Sequence, residues 1–509
     1  MSKDNPDRSA RIARNTLMLY VRMFALMLVG LYTSRVVLSA LGETDYGIYN
    51  VVGGVVSMFT IISGALNSSV MRFITFEMGK GEGAQLGKVY STAVTIQLFL
   101  SVVVVAFAEP VGLWFIENKM TISPERIPAA VQVLHFSLLA FVVNLMSVPQ
   151  MAFITAHEKM SAYAYIGVMD GLLRLAVAFL IVHSPADRLV SYAALMAVVV
   201  FIVRLAYGIY CRRHFPECRY RPVFDKPLIR EMFSFAGWNF IGVTSGVLRD
   251  HGGNILVNIF SGPVVNTARG IAIQLNGAVQ GFVTNFMTAV NPQITKSYAA
   301  GETGYMLSLV RKSSRMSFYL LLMIALPILF NTEYLVGLWL EEVPEHTVKF
   351  VRLFLIFALS ESLSNPLMTA AQATGRIRIY QSVVGGIILL NLPVSYLCLR
   401  AGSPPEVTVV VAIVISQICL GARVIMLRKM VGLEAGRFIR KVWMNVLFVA
   451  AVAALVPMAV DSLLPEGIAG FVAGVSLSIV SAVLSILFVG CSGKERHEIV
   501  DLLKRRFKR

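Results

Sequence analysis

Three arginines sit where an arginine is costly. Arg22 falls in the first long apolar run of the chain, and Arg35 lies near the end of that run. Arg249 interrupts a later run, "FIGVTSGVLRDHGGNILVNIF" (240–260). A guanidinium at the middle of a bilayer costs on the order of 3 kcal/mol by insertion scales, so it faces a water-filled cavity or a partner. Its planar fork is shaped to hold phosphate oxygens. Cations facing one another would suit an anionic group, and a diphosphate is such a group. The competing readings are snorkelling for Arg35 and a structural ion pair for Arg22 and Arg249. Asp250, next to Arg249, projects from another face of the helix, which weakens the ion-pair reading there.

Other groups carry possibilities of their own. Asp250, His251 and Glu361 are in or near apolar runs. Asp250 and His251 could carry a proton, since burial raises a carboxylate pKa and histidine titrates near neutrality. The alternative is that all three line a cavity without coupling. Asp170 and Arg174 are four apart, on one helix face, and read as a structural pair. Arg204 and Arg423, near the ends of their runs, read as anchors. Asn276, Gln280, Thr284, Thr288 and Asn291 step down one helix face, and Asn50, Ser57, Thr60, Gly64 and Asn67 keep similar spacing. Sugars need many hydrogen-bonding partners, and such stripes would supply them along a groove. Interhelical packing through small and polar residues is the alternative.

These residues must be positioned by membrane helices. The 509 residues are 56% hydrophobic and 15% charged, with a mean hydropathy of +0.71. Soluble domains are about 45–50% apolar and 25% charged. Runs of roughly 20 apolar residues match the thickness of a bilayer core. Fourteen spans are expected, near 15–40, 46–71, 89–116, 127–156, 161–183, 188–210, 231–260, 264–291, 305–330, 347–372, 378–399, 406–427, 438–460 and 467–490. Lys and Arg concentrate in the loops on the side of the termini, including Arg212, Arg213, Arg219 and Arg221, and Arg428, Lys429 and Arg437. That puts both termini in the cytosol. The net charge of +16 is then a topology signal and not a nucleic-acid footprint. The first run is too long for a cleaved signal. The tail, residues 491–509, reads either as a basic amphipathic helix on the membrane or as a solvated tail. No P-loop, dinucleotide fingerprint, nucleophile elbow or metal-spaced Cys/His cluster is written in the sequence. Catalytic, metal and cofactor residues are therefore expected to be none.

The chain repeats itself. "ITFEMGKGE" (74–82) and "ITKSYAAGE" (294–302) share a frame, and so do "SVPQMAFITAHEK" (147–159) and "SNPLMTAAQATGR" (364–376). The offsets are 220 and 217, at equivalent points of the span order. Two six-helix lobes follow, 1–210 and 231–430, joined by a cytosolic linker at 211–230. Two further spans (431–490) and the basic tail complete the chain. Six is even, so the lobes share orientation, and a site near the midplane between them would open on alternate sides. The Gly-Glu frame reads as a hinge or interlobe contact, with Glu82 and Glu302 pairing with basic loops.

On these motifs, and on "GVLRDHGGNILVNIFSGPVVNTARGIAIQLNGAVQGFVTNFMTAVNPQITKSYA" (246–299), the chain resembles the multidrug/oligosaccharidyl-lipid/polysaccharide (MOP) exporter superfamily. Within it, the chain resembles the polysaccharide transporter branch, whose members include Wzx-type O-antigen flippases. The resemblance implies an all-α integral membrane fold and transfer of lipid-diphosphate-linked oligosaccharide, such as a lipopolysaccharide O-antigen unit, across a bacterial inner membrane. The partners implied are that substrate, the bilayer and glycan polymerase or assembly proteins, with a monomer sufficient for function. Coupling to H⁺ or Na⁺ is left open. A cation-coupled drug exporter of the same superfamily is the main alternative. Many such exporters use a carboxylate in the first helix of a lobe, whereas the first span here has Arg22 and Arg35 and no acid. A glycan polymerase or ligase would need a larger outer loop carrying a base.

Overall fold

The computed structural model describes residues 6–496, apart from 58, 82–84, 119, 121, 341–342, 461–464, 466 and 494. The tail at 497–509 and Glu82 thus lie outside the described residues. Among the described residues there is no strand. This is what lipid demands, since a helix satisfies its backbone internally. Ten helical segments among the described residues are long and apolar enough to cross a membrane. The windows expected near 46–71, 231–260, 264–291 and 347–372 are helical too but fall outside those ten. Each carries charged or amide side chains that dilute its hydropathy. The chain is an all-α, multi-pass membrane protein, and fourteen crossings stay an expectation. Large apolar side chains such as Leu28, Phe107, Phe448 and Phe488 are exposed, as a lipid-facing surface requires.

Two compact units form, one from residues 13–240 and one from 241–509 with the first twelve residues. The first unit contains most of α1 (Pro6–Ser57), then α2 (Thr60–Gly79), α3 (Leu86–Asn118), α4 (Ile127–Leu145), α5 (Val148–Ala156), α6 (Met160–Val182) and α7 (Arg188–His214). There α4 and α6 pack on α7, and α2 packs on α5. The long helix α8 (Lys226–Ala299) begins in this unit. Its stretch 226–240 is fastened there by Glu231 beside Arg72 (3.6 Å), Phe235 edge-on to Phe73, and the Met232 carbonyl, which accepts from Ser69 Oγ (3.1 Å).

The second unit contains the rest of α8, then α9 (Thr303–Phe330), α10 (Thr332–Trp339), α11 (Thr347–Ser362), α12 (Asn365–Ala373), α13 (Arg378–Leu389), α14 (Asn391–Arg400), α15 (Val407–Val431), α16 (Ala435–Phe438), α17 (Met444–Val460) and α18 (Ile468–Ser485). Its core holds Tyr319, Phe350, Tyr380 and Phe438. The last two helices, α17 and α18, pack on each other and on α9.

The repeat has a backbone signature. α1 turns at Gly42 (φ 77°, ψ 170°) and α8 turns at Gly262 (φ 80°, ψ 179°), 220 residues later. Only glycine adopts such angles without steric cost. Gly81 (φ 69°) and Gly301 (φ 74°) share that offset. Gly301 follows the last residues of α8, and the Glu302 amide donates to the Ser297 carbonyl (2.9 Å). The frame at 294–302 is therefore a helix stop built on left-handed glycine. The second pair of motifs forms α5 and α12, each with proline in its first turn, where a missing N–H costs nothing.

At the rim of the first unit, Arg126 bridges Asp45 and Asp187. Burial pushes the Asp45 carboxyl up; the nearby Arg126 charge opposes this and the Asp187 charge adds to it. Burial would raise Asp187 as well. The Val190 amide, Arg126 and the Leu189 amide together outweigh that and hold it below the usual carboxylate range.

Candidate functional site

Within residues 13–240 a cavity of about 500 Å³ is lined by Arg22, Tyr49, Asn144, Tyr163, Asp170, Arg174 and Tyr207. Arg22 comes from α1, and its guanidinium lies 4.3 Å over the Tyr163 ring of α6. It can come this close because α6 offers Gly167 at the contact. A Cβ there would run into Arg22 Nε first and would also stand 2.9 Å from Cζ and 3.0 Å from Nη2. Arg22 Nε is buried and has no hydrogen-bond partner, and no carboxylate pairs with Arg22 among the described residues. Asp170 accepts from Arg174 Nε at 2.9 Å, the pair their spacing predicts. The cavity thus holds two guanidinium groups and one carboxylate. The free capacity belongs to a cation, and aromatic and amide groups surround it.

The second unit carries its own charged constellation. Arg249 Nε donates to Asp250 Oδ1 (2.9 Å), Nη2 donates to Oδ2 (3.3 Å), and Nη1 stands 3.8 Å from Glu361 Oε1. The guanidinium lies over the Phe357 ring at 4.7 Å. This corrects the expectation that Asp250 would not reach Arg249. Consecutive residues do leave a helix in different directions, but the arginine arm is long enough to curl back. Two of the three candidate coupling groups, Asp250 and Glu361, therefore surround Arg249. His251 is exposed.

Sequence reasoning passed over Arg269. Only 4% exposed, it donates from Nε to Asn254 Oδ1 (2.7 Å) and from Nη1 to Thr408 Oγ1 (3.0 Å), and it lies over the Phe354 ring. The signal that could have found it is a lone charge inside the apolar stretch "VVNTARGIAI". Arg423 needs a second correction. It is 5% exposed and donates to Tyr380 Oη (3.2 Å) and Ser364 Oγ (2.9 Å). An anchor keeps its head in water, and this head is buried in the unit.

The remaining candidates are divided. Arg35 is exposed. Asn276 and Asn67 each have a buried side-chain oxygen without a partner, so they have capacity for a ligand. Thr284 and Thr288 donate to the carbonyls one turn back, at 3.1 and 2.8 Å, and Gln280 is half-buried beside them. Asn291 accepts from Thr369 of α12 (2.8 Å), a packing contact. Asn50 is exposed and donates to the Tyr46 carbonyl (2.9 Å). The side chains of Ser57 and Thr60 lie outside the described residues.

The fold is shared with membrane transporters. An outward-facing multidrug resistance MATE family transporter of the MOP superfamily superposes with a TM-score of 0.73 at 11% identity, covering 84% of this chain and 97% of that one. A MATE in complex with MaD3S gives 0.71 at 12% identity, covering 83% and 97%. A MOP superfamily transporter from Pyrococcus furiosus gives 0.69 at 10% identity, covering 84% and 96%. No curated protein matches the sequence. The fold is that of the MOP superfamily transporters. The model of the polysaccharide biosynthesis protein family matches residues 12–298, more than half of the chain, which therefore belongs to that family.

Proposed function

We propose that the protein is a flippase for lipid-diphosphate-linked oligosaccharide, moving it by alternating access from the cytosolic to the outer leaflet of a bacterial cytoplasmic membrane. In this reading both termini are cytosolic and the chain is a carrier, not a catalyst. Glycan polymerase or assembly proteins act beside it. The observation that carries the reading is Arg22, a guanidinium on the wall of the first unit's cavity with no carboxylate partner among the described residues. In the second unit Arg249 is balanced by Asp250 and Glu361, whereas buried Arg269 is held by neutral Asn254 and Thr408, and Asn67 and Asn276 keep amide oxygens free for hydroxyl groups. A drug exporter binding cations would want the opposite charge in the first helix. The Pyrococcus furiosus relative is described as having a binding pocket whose reverse polarity suggests a different function, and charge reversal of that kind fits an anionic cargo here.

The test is depletion in the native host, with lipid-linked oligosaccharide quantified on the cytosolic leaflet. Accumulation relieved by the wild type but not by Arg22→Ala or Arg249→Ala, both inserted normally, is the expected result. Absence of accumulation, with altered retention of cationic dyes, would favour the cation-coupled exporter.

A further inference from the structure

A second cavity, of about 590 Å³, lies within the 241–509 unit. It is bounded by the first turns of α9, by a π-helical turn at Ile439–Trp443 leading into α17, and by another at Ile486–Gly490 ending α18. Six cations line it: Arg311, Lys312, Arg315, Arg437, Arg440 and Lys441. Among the described residues its one lining carboxylate is Glu495, which is already engaged. It pairs with Arg315 and accepts from the Ser492 amide (2.8 Å) and hydroxyl (3.0 Å). Arg437 is met by Glu434 at 2.8 Å. Arg311, Arg440 and Lys441 have no carboxylate at salt-bridge distance among the described residues.

A bias of basic residues toward one side of the membrane accounts for their presence in loops. It does not account for six of them converging on one concavity, where they repel one another. The floor is tied together: Arg315 Nη1 donates to the Gly490 carbonyl (3.2 Å), and the single Tyr319 hydroxyl proton goes to Asn445 Oδ1, with the Gly490 carbonyl 3.2 Å from the same oxygen. π-Helical turns are rare and recur at functional sites, and both turns here contribute lining residues. On the helices that supply Asn445, Val489 and Gly490 to the cavity, Met444, Phe448, Leu484 and Phe488 are exposed and apolar. A cationic hollow next to an apolar wall is what a phospholipid needs, one part for phosphate and one for acyl chains. A glycan cargo would want amides and hydroxyls, of which this cavity offers few.

We propose that this cavity binds the phosphate headgroup of an anionic phospholipid, whose acyl chains lie along the exposed flank of α17 and α18. The site is separate from the cavity of Arg22 and does not depend on the flippase reading.

The test uses the purified full-length protein, stripped of lipid and then offered phosphatidylglycerol, phosphatidylcholine, polyprenyl diphosphate or inorganic phosphate. Retention is read by native mass spectrometry. Arg440 and Lys441 are exposed, so the Arg440→Gln/Lys441→Gln variant keeps the fold, as its helicity and gel-filtration profile will report. Each cation near a membrane surface is worth about fivefold in affinity, so the variant holds phosphatidylglycerol roughly 25-fold more weakly, and salt weakens the wild type in the same direction. Phosphatidylcholine and inorganic phosphate bind neither protein appreciably. Equal retention of phosphatidylglycerol by wild type and variant would overturn the proposal, as would equal binding of phosphatidylcholine. Binding of polyprenyl diphosphate or of inorganic phosphate in place of phosphatidylglycerol would also overturn it.

Discussion

Gly167 gives a way to move Arg22 without removing it. A methyl group at position 167 clashes hardest with Arg22 Nε and also meets Cζ at 2.9 Å and Nη2 at 3.0 Å. The guanidinium is the free end of a flexible side chain, so it swings off the Tyr163 ring while the helices stay in place. Leaving the ring costs about 0.5–2 kcal/mol. Alanine in place of glycine inside a helix returns about 0.5–1 kcal/mol. The two nearly cancel, and Gly167→Ala should keep its melting temperature in detergent within a few degrees of wild type. Transport should not survive so well. A hydrogen bond from a charged donor is worth about 1.5–3 kcal/mol, and 1.36 kcal/mol is tenfold. If Arg22 holds the cargo phosphate, the displaced guanidinium lowers transport roughly 10- to 150-fold. The assay is rescue of a depleted host, read as lipid-linked oligosaccharide left on the cytosolic leaflet. A Gly167→Ala protein that inserts, melts normally and clears the lipid at the wild-type rate would refute the role assigned to Arg22.

Other outcomes follow from the same geometry. Asp250→Asn and Glu361→Gln should each lower transport without moving its pH profile, because both carboxylates serve to hold Arg249; a shifted profile would assign them to proton coupling instead. Gly42→Ala and Gly262→Ala meet nothing within 4 Å, so their cost is backbone strain at positive φ alone, about 1–3 kcal/mol each, and thermal melts should show two similar losses. Asp187 has a lowered pKa in the fold, so its charge stabilises above the unfolded value and that benefit disappears as pH falls through the folded one. The stability gap between wild type and Asp187→Asn should therefore close below roughly pH 4; a gap that persists in acid would place the effect elsewhere.

The features legible in the sequence were those written locally. Gly81 and Gly301 close their helices because glycine alone takes a positive φ cheaply, and that constraint shows in the chain as a shared frame. Pro149 and Pro366 mark α5 and α12 for the same kind of reason. Asp170 and Arg174 meet because one helical turn separates them. Arg269 was not legible in this way. What makes it a buried clamp is Thr408, 139 residues further on, and no periodicity encodes such a partner. Arg423 looked like an anchor from its place near the end of a run, but Tyr380 and Ser364 enclose it. Arg249 and Asp250 defeated a rule about helix faces because that rule places Cβ atoms, whereas the bond forms at the end of a long side chain.

The first stretch of α8 belongs by packing to the unit that precedes it. Suppose the gene is divided in the loop before Lys226, so that two polypeptides are made. The later product carries an overhang, 226–240, whose Glu231, Met232, Phe235 and Asn239 all have partners on the earlier product. Divided after residue 240, the earlier product keeps its own strip and the later one starts blunt. Either cut leaves Ile12 of the earlier product packing on the core of the later one, but only the first cut adds this second handle, so complementation between separately expressed halves should depend on which side of this strip the cut falls.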